Sequence, residues 1–106
     1  MCDWVDVTEV AAFAHGERRV VEIGGREILV VNLNGQFFAV EDVCTHDGTP
    51  IAEGEILGEE IVCPRHGARF CLRTGKALCA PAYEPIATFP VRVESGVVQV
   101  CPHRID

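Results

Sequence analysis

Apolar and polar positions alternate with a period of two in several short runs: "RRVVEI" (18–23), "REILVVNL" (26–33), "QFFAV" (36–40), "EEIVC" (59–63), "FPVRV" (89–93) and "VVQV" (97–100). That period sends successive side chains to opposite faces of a strand. Between the runs stand "GG", "NG", "TG" and "SG", dipeptides that supply the positive φ of tight hairpin turns. The pattern predicts an antiparallel, all-β chain. Only "TEVAAFAHG" has a helical look, with Thr8 as N-cap and Gly16 as stop.

The alternation breaks between Glu41 and Pro81, where Gly48, Pro50, Gly54, Gly58, Pro64, Gly67 and Gly75 crowd the chain. This reads as an insertion, about 41–81, projecting from a basal sandwich or barrel built by 1–40 and 82–106. At 106 residues the whole is expected to be one domain, 1–106, with a single modest core.

The insertion carries the candidate chemistry. Cys44-x-His46 is followed, after the sixteen residues 47–62, by Cys63-x-x-His66. Thiolates with imidazoles exclude calcium and magnesium and leave zinc, copper or an iron–sulfur cluster. A structural zinc site usually draws like pairs from each loop, whereas here each loop offers one Cys and one His. Such a split suits a binuclear centre with two thiolates on one iron and two imidazoles on the other.

In these residues the chain resembles the Rieske [2Fe-2S] proteins, with the ligand signature at Cys44, His46, Cys63 and His66. Gly48 follows the first pair and Gly67 the second, and "FCLRTGKALCAPA" with "FPVRVESGVVQV" resembles the family's proline-bearing third loop and closing hairpin. The resemblance implies three antiparallel sheets with the cluster-binding part inserted, and one [2Fe-2S] cluster. It implies that Cys44 and Cys63 ligate the inner iron, and His46 and His66 the outer iron, with their ring edges toward solvent.

Respiratory Rieske subunits add a cysteine to each loop, forming a disulfide, and a Ser and a Tyr that donate to cluster sulfurs. The matching positions here are Thr49, Arg65, Ala68 and Phe70, which can supply neither. That implies a potential near the low end of the family range, roughly −150 mV rather than about +300 mV. The chain looks most like the soluble ferredoxins of bacterial ring-hydroxylating dioxygenase systems in aromatic hydrocarbon catabolism. It would carry electrons from a flavoprotein ferredoxin reductase to a terminal oxygenase and perform no catalysis itself. The alternatives are a small subunit of an assimilatory nitrite reductase and a zinc-stabilised interaction module.

Composition narrows this further. Sixteen Asp and Glu against nine Lys and Arg give a net charge of −7, which argues against nucleic acid as a partner. Glu41, Asp42, Asp47, Glu53, Glu55, Glu59 and Glu60 face only Arg65 within 41–66, so an acidic rim around the electron exit is expected. The chain begins with no leader pattern and contains no apolar run of about 18 residues, so a cytoplasmic monomer without membrane association is expected. In that compartment Cys2, Cys71, Cys79 and Cys101 should be free thiols, mostly small buried hydrophobes, and none a ligand. His15 and His103 have no partner at ligand spacing and read as exposed.

Overall fold

The computed structural model describes residues 2–103. In chain order its strands are β1 (Val5–Glu9), β2 (Arg18–Ile23), β3 (Arg26–Leu33), β4 (Gln36–Glu41), β5 (Ile56–Leu57) and β6 (Glu60–Val62). There follow β7 (Arg69–Cys71), β8 (Ala77–Cys79), β9 (Thr88–Phe89), β10 (Val91–Glu94) and β11 (Val97–Val100). They form three antiparallel sheets: a terminal sheet β1-β11-β10, a central sheet β2-β3-β4-β9 and an inserted sheet β5-β6-β7-β8.

Two-residue turns set the registers of the hairpins. Ile23 pairs with Arg26 across "GG", Leu33 with Gln36 across "NG", and Glu94 with Val97 across "SG". The "TG" dipeptide instead sits inside a longer loop between β7 and β8.

The central sheet is buried on both faces, and the alternation along β3 divides its side chains between two cores. Ile28 and Val30 join Ala39, Phe89, Val98 and Val100 beneath the terminal sheet. Leu29 and Val31 join Phe38, Val40, Cys44, Cys63, Ala68 and Phe70 beneath the inserted sheet. One strand thus anchors the terminal sheet with one set of residues and the candidate centre with the other. A one-residue slip would exchange the two sets, so both cores hold the register.

A helix does not form at "TEVAAFAHG". Thr8 lies in β1 and pairs with Val98, and only Val10–Ala12 make a single 3-10 turn with no side-chain cap. The ladder to β11 claims Thr8 and Glu9, and Phe13 is the only fully buried side chain of the stretch, so no apolar stripe exists to stabilise a helix.

The cysteines also depart from expectation. Cys2 and Cys101 form a disulfide, with Cα atoms 5.6 Å apart. Pairing of β1 with β11 brings the two ends of the chain together, which spacing in sequence could not reveal. Cys71 is half-buried and Cys79 exposed, and Cys79 lies opposite Arg69 rather than opposite Cys71.

The bridge closes a loop spanning 99 residues, which should constrain the unfolded chain strongly. Cys2→Ser, or mild reductant, should therefore lower unfolding stability by about 2–4 kcal/mol in urea titrations that follow intrinsic fluorescence. An unchanged midpoint would show that the bridge contributes nothing to stability.

Candidate metal centre

Two turns of the same construction present the four candidate donors. In the first, Cys44 N–H donates to Thr49 O (2.7 Å) and Gly48 N–H to Cys44 O (2.7 Å). In the second, Cys63 N–H donates to Ala68 O (2.7 Å) and Gly67 N–H to Cys63 O (3.0 Å). Each turn closes through a glycine in the left-handed region, Gly48 at φ 80° and Gly67 at φ 75°.

The donors then separate by depth. Cys44 and Cys63 are buried in the core shared with Leu29, Val31 and Phe70, whereas His46 and His66 are exposed with ring centroids 4.9 Å apart, edge to face. Burial pushes the Cys44 thiol above its ordinary pKa and the adjacent Cys63 sulfur adds to this, while the N–H groups of His46 and Asp47 act in the opposite sense. A buried thiol pair of this kind becomes a thiolate pair readily only when a cation compensates it. Among the described residues no three His, Cys, Asp or Glu side chains converge on a single ion, so the donors stand as a sulfur pair below an imidazole pair.

Other contacts hold the loops in place. Asp47 caps its own turn by accepting the Thr49 N–H at 3.0 Å, and its other oxygen lies 3.1 Å from His66 Nδ1 on the second loop. Its carboxyl is held below the usual range, first by the Thr49 hydroxyl and then by the Thr49 N–H. β8 and the segment after it touch one loop each: Thr45 Oγ1 donates to Glu84 O at 2.7 Å, and Sγ of Cys79, the last residue of β8, lies 3.7 Å from Gly67 O. A third turn repeats the construction at Cys71, with Cys71 N–H on Lys76 O and Gly75 N–H on Cys71 O, but Thr74 stands where the second turn has His66. Burial raises the Cys71 thiol, yet the Thr74 hydroxyl and the N–H groups of Thr74 and Arg73 outweigh it and leave it below its ordinary pKa.

The spacing pattern gave no hint of three positioning residues. Asp42 Oδ1 accepts the N–H groups of Ile51 (2.8 Å) and Ala52 (2.9 Å), and Arg18 Nη1 donates to the carbonyls of Ala52 and Gly54. At Gly54 a Cβ would overlap the carbonyl oxygen of Val62, the residue before Cys63. These partners lie far apart in sequence, so only the fold brings them together.

The expected acidic rim is largely neutralised. Glu41 pairs with Arg26, Glu59 with Arg73, and Glu60 with Arg69, while Asp42 is buried and Asp47 engages His66. Every one of those arginines lies outside 41–66, which is why a count within the segment overstated its charge. Glu53 and Glu55 remain without an ion pair among the described residues. Pro50, Pro64 and Arg65 are exposed in and beside the two ligand loops, and Tyr83, next to the Glu84 whose carbonyl accepts from Thr45, is 81% exposed.

The model of the Rieske [2Fe-2S] domain matches residues 3–90. The chain belongs to the Rieske [2Fe-2S] domain family. It is 35% identical over 97 residues to the ferredoxin component of the naphthalene 1,2-dioxygenase system of Pseudomonas putida, covering 92% of this chain and 93% of that one. It is 47% identical over 70 residues to the 3-phenylpropionate/cinnamic acid dioxygenase ferredoxin subunit of Escherichia coli strain K12, covering 65% and 66% of the two chains. Its fold matches a chain in the complex of reduced oxygenase and oxidised ferredoxin in carbazole 1,9a-dioxygenase, with TM-score 0.91, 33% identity, and coverage of 97% and 96%.

The Rieske chain carries one [2Fe-2S] cluster as its cofactor. A buried sulfur pair beneath an exposed imidazole pair fits a cluster with one all-thiolate and one all-imidazole iron.

Gly54→Ala should displace the strand leading to Cys63, lowering stability by about 1–3 kcal/mol and reducing the iron content of the purified protein. Full iron loading at unchanged stability would mean that the chain relaxes around the added methyl group. Ala68 and Phe70 are fully buried in the same core as the two cysteines. Ala68→Ser with Phe70→Tyr should raise the midpoint potential by roughly 40–90 mV, the worth of about 1–2 kcal/mol of hydrogen bonding that favours the reduced cluster. Voltammetry showing no rise, with a loss of stability, would mean that the new hydroxyls are buried without partners.

Proposed function

We propose that the protein is the electron-carrying ferredoxin of an aromatic ring-hydroxylating oxygenase system, with Cys44 and Cys63 ligating one iron and His46 and His66 the other. The observation that carries this reading is the depth separation, since the thiols lie in the core while both imidazoles reach the surface. The cluster supplies storage for one electron. The chain's own residues keep water from the sulfur side, hold the two loops in one geometry, and leave the imidazole side open to a partner.

The ferredoxin relatives support the same role, and the solved complex of oxygenase with ferredoxin supports a terminal oxygenase as acceptor. The donor in this proposal is a flavoprotein ferredoxin reductase, and substrate chemistry belongs to the oxygenase. The cluster-binding part is proposed to span about 41–81 of the single domain, with the base built from about 1–40 and 82–106. The inserted sheet, running from Ile56 to Cys79, supports this division. The proposed setting is the cytoplasm. Cys71 and Cys79, which take no part in the proposed ligand set, remain thiols, which suits a reducing compartment, and the Cys2–Cys101 bridge is the one feature that does not.

Reconstitution with such a reductase and an aromatic-ring oxygenase should make product formation depend on this protein, whereas protein plus reductase alone should yield none. Because the acids near the tip are mostly paired, the transfer rate should change little between about 0.02 and 0.2 M salt, although the Debye length falls about threefold. Tyr83→Ala should slow transfer several-fold with the cluster spectrum intact, as expected for an exposed aromatic at a docking face. Transfer that needs no ferredoxin, or product made without the oxygenase, would overturn the carrier role.

A further inference from the structure

Asp42 follows β4, two residues before Cys44, and is 8% exposed. Its backbone N–H donates to Glu27 O at 2.9 Å, and its Oδ1 accepts two N–H groups from the segment that follows the first ligand loop. Among the described residues no Lys, Arg or His lies within ion-pair distance of it. The nearest cation acts from the other side of the same peptide group: the Ala52 N–H points to Asp42, and the Ala52 carbonyl accepts from Arg18, which is partly exposed.

A carboxylate placed this way is more than a clamp. Two amide N–H groups offset its charge only in part, and burial leaves its field little screened by solvent or salt. Two residues of chain span at most about 7 Å, so the charge lies close to the Cys44 loop. Added negative charge on the centre is therefore opposed by Asp42. Arg18 opposes this effect less strongly, because water reaches its guanidinium.

We propose that Asp42 is a positioning residue that also sets the reduction potential. It fixes the Ile51–Ala52 segment and, through its buried negative charge, biases the centre toward the oxidised form. The inference rests on the assignment of Cys44 to the cluster, which the visible and EPR spectra of each variant report independently of the potential.

The test uses Asp42→Asn, which keeps an acceptor oxygen and removes the charge, beside Glu94→Gln, which removes an exposed charge from the terminal sheet on the far side of the molecule. Voltammetry of the loaded proteins should place Asp42→Asn more positive than the parent by about tenfold in the one-electron equilibrium constant, ~59 mV, with Glu94→Gln nearly unchanged. An Asp42→Asn potential no higher than that of Glu94→Gln, with an intact cluster spectrum, overturns the proposal. Should Asp42→Asn take up no cluster, Asp42→Glu decides the matter. Restored loading at a near-parental potential supports the role of the charge, and failure of Asp42→Glu to load any better overturns it.

Discussion

The structure depends on one sheet buried on both faces. β3 places Ile28 and Val30 against the terminal sheet and Leu29 and Val31 against the core that holds Cys44 and Cys63. The period of two along a strand makes this division possible, and it links the two cores through a single register. The candidate centre is thereby mounted on the most buried part of the molecule, although it is formed by loops. Loops on a rigid sheet can hold donors in a fixed geometry while keeping the irregular backbone that exposes them.

The same mounting explains the separation of chemistry by depth. Sulfur donors lie where water is excluded, and imidazoles lie where a partner can approach. Charge follows a related rule. Arg26, Arg69 and Arg73 pair with Glu41, Glu60 and Glu59 and offset much of the insertion's acidity, while Arg65 and Tyr83 stay exposed. These pairs are exposed and add little stability, but they change what a partner meets. Of the acids in the insertion without an ion pair among the described residues, Asp42 is the buried one, and its charge acts there with little screening.

One turn geometry appears three times in the insertion, at Cys44, Cys63 and Cys71, each with a glycine four residues on and the same pair of backbone hydrogen bonds. Only the first two carry a histidine. The third, with Thr74 in place of His66, turns its hydroxyl and amide groups to the Cys71 thiol and joins β7 to β8. The turn therefore supplies shape, and the residue at its apex decides whether that shape serves the centre or the sheet.

The all-β class, the three two-residue hairpins and the four candidate donors were legible in the sequence, because each rests on a local signal: alternation, a turn dipeptide, or paired Cys and His at short spacing. The expectation of a helix after Thr8 failed because the ladder to β11 outweighed a weak local preference. The Cys2–Cys101 bridge, the clamp of Asp42 and Arg18 around Ala52, and the neutralising arginines were decided only in three dimensions. Each joins residues distant along the chain, and such partners meet only after the sheets have set their register; spacing in sequence records neighbours along the chain, not neighbours across it.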